Sequence, residues 1–167
     1  MQTAETLIVL GVLVLFSIFT MSVHQFILGD KELIYESEEM IEAIALAQGF
    51  IEEAEMMRFD EDSTAMTPTL FTDNGELGPE TGESYPNFDD VDDFNGYQAT
   101  EQSLTVPYTI SIDVHYVNES SPYSETSSET YIKESVVSIS SDQFTGSSNN
   151  PILQFKKLFA YHYFFMD

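Results

Sequence analysis

From residue 6 to residue 29 the chain carries no formal charge, and within it residues 6–23 (TLIVLGVLVLFSIFTMSV) form an apolar run of 18 residues. A run of that length predicts a helix able to cross a bilayer. Beyond Gly29 the pattern turns amphipathic. Leu33, Ser37, Met40, Ile44, Ala47, Ile51 and Ala54 recur at alternating spacings of four and three, while Glu32, Glu36, Glu38, Glu39, Glu42, Glu52 and Glu53 take the other faces. No proline falls between Met1 and Thr67, so the spacing predicts one helix from near residue 2 to near residue 58, roughly 85 Å at 1.5 Å per residue. Gly11, Gly29 and Gly49 are its soft points, with Gly29-Asp30 the expected kink.

Residues 59–98 are polar, acidic and punctuated by Pro68, Gly75, Gly78, Pro79, Gly82, Pro86 and Gly96, which predicts a long connecting loop with a job or a support of its own. Strand patterns follow. In residues 104–117, Thr109, Ser111, Asp113 and His115 alternate with Ile110, Ile112, Val114 and Tyr116, as a half-buried strand requires. Residues 130–140 and the aromatic-rich residues 152–165 predict two more strands, with a short fourth near residues 97–102. Residues 118–129 read as a hairpin tip and 141–151 as a turn-rich loop. The expected fold class is α+β: a long N-terminal helix (1–58, of which 1–28 is apolar), an acidic loop (59–98), and a small antiparallel sheet (99–167) covering the helix's amphipathic half.

Charge sharpens the picture. Five Lys and Arg stand against 29 Asp and Glu, a formal net charge of −24. Nucleic-acid binding rests on cationic neutralisation of phosphates, so nucleic acid is not an expected partner; anionic lipid surfaces are disfavoured likewise. Copies of such a chain repel unless salt or bound divalent cations screen them. The absence of cysteine excludes disulfides and thiolate metal sites. Nothing argues for an enzyme: His24, His115 and His162 lie far apart, and there is no phosphate-binding glycine loop and no nucleophile elbow.

Glu5 is the odd residue. An ionised carboxylate in an apolar helix costs roughly 2.5–3.5 kcal/mol at mid-membrane and usually has a partner. The nearest basic side chain is Lys31, about 39 Å away along a helix. That leaves α-amino groups, its own or that of a second copy. The segment MQTAE has no Lys or Arg, so the basic flank of an ordinary signal anchor is missing.

An apolar N-terminal helix with Glu5, opening on Met1, resembles the mature type IV pilins and type II secretion pseudopilins. The resemblance covers about a third of the chain. It implies removal of a basic leader by a prepilin peptidase in front of Met1, methylation of the new terminus, and pairing of Glu5 with a neighbouring subunit's N-terminal amine. Residues 6–23 would line the core of a helical filament of identical subunits, built by an inner-membrane assembly machinery from a membrane-held pool and displayed outside the cell. The chain differs from many pilins in having Ser22 where a proline is common and in lacking a C-terminal cysteine pair. The alternatives are a minor pilin or pseudopilin of a secretion machine, and a single-pass membrane-anchored acidic binding module.

Two candidate ligand sites remain. Asp89, Asp90, Asp92, Asp93 and Asn95 crowd seven residues of the loop and offer the hard oxygens that Ca²⁺ prefers; this segment also resembles acidic loops of some minor pilins and pseudopilins, a few of which bind calcium. The alternative is a solvated loop whose Asp and Asn side chains cap turns. Asn118-Glu119-Ser120 is a glycosylation sequon on the expected tip.

Overall fold

The computed structural model describes residues 2–61, 68–103, 106–141 and 153–161. Met1, His162, nearly all of the expected 141–151 loop, and the two ends of the expected third strand lie outside the described residues. The chain divides into two compact units, Met1–Ile41 and Glu42–Asp167. Helix α1 (Gln2–Glu55) supplies the first unit and the opening element of the second. Helical hydrogen bonding persists through Gly11, Ser22, Gly29 and Gly49.

Within the first unit, Thr3–Gly29 is long and apolar enough to cross a membrane, with a mean hydropathy of 2.5 and none of it buried within the chain. Leu7 is 71% exposed and Phe26 70%. Three hydroxyls of this segment turn back onto its main chain: Thr6 Oγ1 donates to Thr3 O at 3.0 Å, Ser17 Oγ to Leu13 O at 2.8 Å and Thr20 Oγ1 to Phe16 O at 3.0 Å. Such back-bonding satisfies a hydroxyl without water, as a hydrocarbon environment demands.

The second unit is an α+β head. Strands β1 (Gln98–Gln102), β2 (Pro107–Asn118), β4 (Ile132–Ser140) and β5 (Leu153–Ala160) pair antiparallel in that order, and β3 (Ser121–Glu125) forms a hairpin on the far end of β2. The segment expected as a hairpin connection or exposed tip thus contains a fifth strand. On β2 the alternation holds: Tyr108, Ile110, Ile112, Val114 and Tyr116 are buried. Val137 and Ile139 of β4 extend this apolar layer, and the C-terminal part of α1 lies on it through Ala43, Ala47, Phe50 and Ala54.

That helix stripe is rotated from the one expected. Ala47 and Ala54 are shared, but Ile44 and Ile51 are only half-buried, while Ser37 and Met40 are exposed. A search for bulky apolar residues favours Met40 and Ile44. The sheet instead meets the alanines, whose small side chains allow close approach, with Phe50 filling the gap. Polar ties reinforce the contact: Tyr108 OH donates to Glu42 Oε2 at 3.3 Å, and Lys157 pairs with Glu55.

The loop from Met56 to Tyr97 is held by its own core. Phe88, Val91 and Phe94 are buried, and Phe88 and Phe94 meet edge-on at 5.1 Å between ring centroids. Phe50 meets Tyr85 at 6.2 Å and Tyr97 at 5.7 Å. Main-chain bonds fasten both ends of the acidic stretch: Arg58 exchanges bonds with Asp89 and Val91, and Gly96 and Tyr97 with Ile112.

Candidate functional site

The acidic stretch folds around a 3-10 turn, Asp92–Phe94, which begins after Val91. Asp90 Oδ1 accepts the N–H groups of Asp92 (2.9 Å) and Asp93 (3.4 Å), the first two residues of that turn. Asp93 Oδ2 reaches back to the N–H groups of Asp89 (2.8 Å) and Asp90 (3.2 Å). These reciprocal bonds explain why Asp recurs here: short carboxylates bond their own neighbouring backbone in turns.

The five residues read from the sequence as one Ca²⁺ ligand set do not share one focus. Asp89 pairs with Arg58. Asp92 pairs with Lys133. Asn95 donates to Leu77 O at 3.0 Å and accepts from Val114 N at 3.0 Å, so it clamps the loop to β2. Asp90, Asp92 and Asp93 are each at most 1% exposed. Burying like charges so closely forces protons to be retained. Burial, then the charge of Asp92 and a hydrogen bond with it, push the Asp90 carboxyl up to about 8. Asp90 Oδ2 and Asp92 Oδ2 are buried with no hydrogen-bond partner among the described residues.

Lys133 lies beneath this turn and was invisible to motif reasoning. It occupies an inward position on β4 and is fully buried. Its ammonium donates to Phe59 O at 2.8 Å, to Asp60 Oδ2 at 2.9 Å and to Asp92 Oδ1, so three acceptors meet three donors. The rings of Phe59 and Tyr116 lie 4.7 and 5.3 Å away. Tyr116 OH shares its one proton between Thr72 O at 2.9 Å and Asp60 Oδ2 at 3.3 Å, and burial with the charges of Asp60 and Asp92 pushes its phenol well above the ordinary range. The Lys-in-strand pattern (Lys133, Ser135, Val137, Ile139 alternating inward) was the signal that this lysine is internal.

A second cluster forms from residues that the sequence reading had not singled out. Glu80, Glu83 and Asp93 bring one carboxylate oxygen each to within 4.8 Å of one another. A hydrogen bond with Glu83, then burial, pushes Glu80 up to about 7. Burial pushes Asp93 upward as well. The sequence Glu80-Thr81-Gly82-Glu83, a turn signature, could have revealed the pairing.

Elsewhere, Glu5 lies in the first turns of α1 and is exposed. Asn118 is exposed at the β2–β3 connection, its Oδ1 accepting from Ser120 N at 2.9 Å and Ser120 Oγ at 2.7 Å. His115 lies between Asp113 (3.1 Å) and Glu134 (3.3 Å) on the other face of the sheet. Searches against family models, curated proteins and solved structures find no match to this chain.

Proposed function

We propose that this chain is a structural subunit of a type IV pilus-like helical filament. The observation that carries the reading is the Thr3–Gly29 segment, strongly apolar, without formal charge apart from Glu5, and unburied within its own chain. Surface of this kind needs cover. A bilayer covers it before assembly; the same segment of neighbouring copies covers it afterwards. At roughly 25 cal/mol per Å² of apolar surface removed from water, contacts along such a segment hold a fibre together without covalent links.

Glu5 gives the assembly its register. In a bundle of these helices an unpaired carboxylate is expensive, and a neighbour's terminal amine is the cation that removes the expense. The acidic heads then form the outer sheath, where their charge keeps the fibre soluble and makes its packing dependent on salt.

The test is Glu5→Ala in the native host, with mass spectrometry of the N-terminal peptide from sheared surface material. The expected result is an N-methylated Met1 in an abundant wild-type fibre fraction, and a variant that inserts in the membrane yet yields few fibres. Wild-type fibre yield from Glu5→Ala would remove the role given to Glu5. An unmethylated terminus confined to the membrane fraction would leave the anchored binding module as the better reading.

A further inference from the structure

We infer that Glu80, Glu83 and Asp93 form a divalent-cation site, with Ca²⁺ the ion they suit, that closes the loop between α1 and β1. The inference concerns the head alone and stands whether or not the chain assembles.

Local sequence builds the first half of the site. Glu83 N–H donates to Glu80 O at 3.0 Å, closing a four-residue turn. Its third residue, Gly82, has φ +100°, the conformation a type II turn requires there and an L side chain rarely adopts. The turn sets both glutamates side by side. The second half comes from the 3-10 turn, which presents Asp93 to them.

Two independent features point to a ligand. The first is the convergence of three carboxylate oxygens within 4.8 Å; oxygens around one Ca²⁺, at 2.3–2.6 Å from it, lie no more than about 5 Å apart. The second is Asp93 itself. It is 1% exposed, its Oδ2 is anchored by two backbone N–H groups, and its Oδ1 is buried without a partner among the described residues. A buried carboxylate oxygen with no donor calls for a cation or a proton.

The Lys and Arg side chains among the described residues are engaged elsewhere. Arg58 pairs with Asp89 and Glu61, Lys133 with Asp60 and Asp92, Lys156 with Glu134, and Lys157 with Glu55. The cluster offers only hard oxygen donors, without His or Cys, which disfavours Zn²⁺ and Cu²⁺. Glu80 is exposed and Glu83 partly so, which leaves room for water to complete the shell. That flexible, partly hydrated set suits Ca²⁺ over Mg²⁺, which demands near-ideal octahedral geometry.

The experiment titrates CaCl₂ into the chelator-stripped, detergent-solubilised full chain by calorimetry, in high salt to suppress diffuse binding to the acidic surface. The expected result is one saturable site, a raised thermal midpoint, and weaker binding of MgCl₂. Glu80→Gln with Glu83→Gln should weaken Ca²⁺ binding on the order of tenfold or more, as should Asp93→Asn. Because Asp93 also anchors the loop backbone, the glutamate pair is the deciding variant; both residues sit on a turn at the surface. Glu52→Gln with Glu125→Gln, which removes the same charge from exposed positions on α1 and β3, should leave binding unchanged. Absence of saturable binding at millimolar Ca²⁺, or equal affinity in the Glu80/Glu83 variant, would overturn the inference.

Discussion

Replacing Lys133 with Met should destabilise the head severely, and the structure says where the loss will fall. Lys133 is fully buried, and both carboxylates that it meets are at most 1% exposed. Removing one partner of a buried ion pair costs about 3–5 kcal/mol, because the charge left behind is uncompensated. That is a large share of the 5–15 kcal/mol typical of a domain. The two carboxylates are not left equally exposed to the loss. Asp60 keeps the Thr72 N–H at 3.1 Å and the Tyr116 hydroxyl at 3.3 Å. Asp92 keeps no such donor, its Oδ2 being buried without a hydrogen-bond partner among the described residues. Adding Asp92→Asn to Lys133→Met should therefore restore more stability than adding Asp60→Asn. The triple variant, now without buried charge at this point, should come within about 2 kcal/mol of wild type. Urea unfolding of the detergent-solubilised full chain, followed by tyrosine emission since there is no tryptophan, reads these differences. At an m-value near 2 kcal/mol/M, the single variant should lower the midpoint by about 2 M. A loss below about 1 kcal/mol for Lys133→Met, or a triple variant as unstable as the single, would refute the reasoning.

Other perturbations follow from the same packing and charges. Ala47, fully buried where α1 meets the sheet, should not accept Leu: overpacking there should cost about 1–3 kcal/mol in the same urea assay, and an unchanged midpoint would show the contact to be loose. Ile110→Ala, beneath that helix and fully buried, should cost about 2–5 kcal/mol. Stability should also fall as pH rises. Asp90 is pushed up to about 8 and Glu80 to about 7, from ordinary values of 3.8 and 4.5. The folded head thus binds more protons than the unfolded chain between those limits, and its advantage is full below pH 4 for these groups and lost through pH 7–8. Calcium-free unfolding in high salt should give a lower urea midpoint at alkaline pH than at mildly acid pH. Asp90→Asn should flatten that slope, and a midpoint that rises with pH would contradict the assignment.

Much of the fold was legible because its signals are periodic. An uncharged, predominantly apolar run of 18 residues and the strict alternation on β2 leave little freedom in reading α1 or the sheet. The helix's buried face was misjudged by a rotation because packing selected small residues over large ones, a choice made by the sheet rather than by the helix sequence. Strand β3 was missed because Ser121–Glu125 has little apolar character and is stabilised by pairing with β2. The acidic loop was recognisable as special, but its chemistry divides by tertiary contact. Asp92 meets a lysine 41 residues away, and Asp93 meets two glutamates across the loop. Spacing along seven residues carries no information about either.

The account rests on what covers the Thr3–Gly29 helix, and helical reconstruction by electron cryo-microscopy of fibres sheared from the native host tests it most directly. It should show these helices bundled along the fibre axis, each Glu5 beside a neighbour's amino terminus, and the sheet-bearing heads outermost. Fibres that lack this chain, or a chain found only as single copies in the membrane, would contradict it.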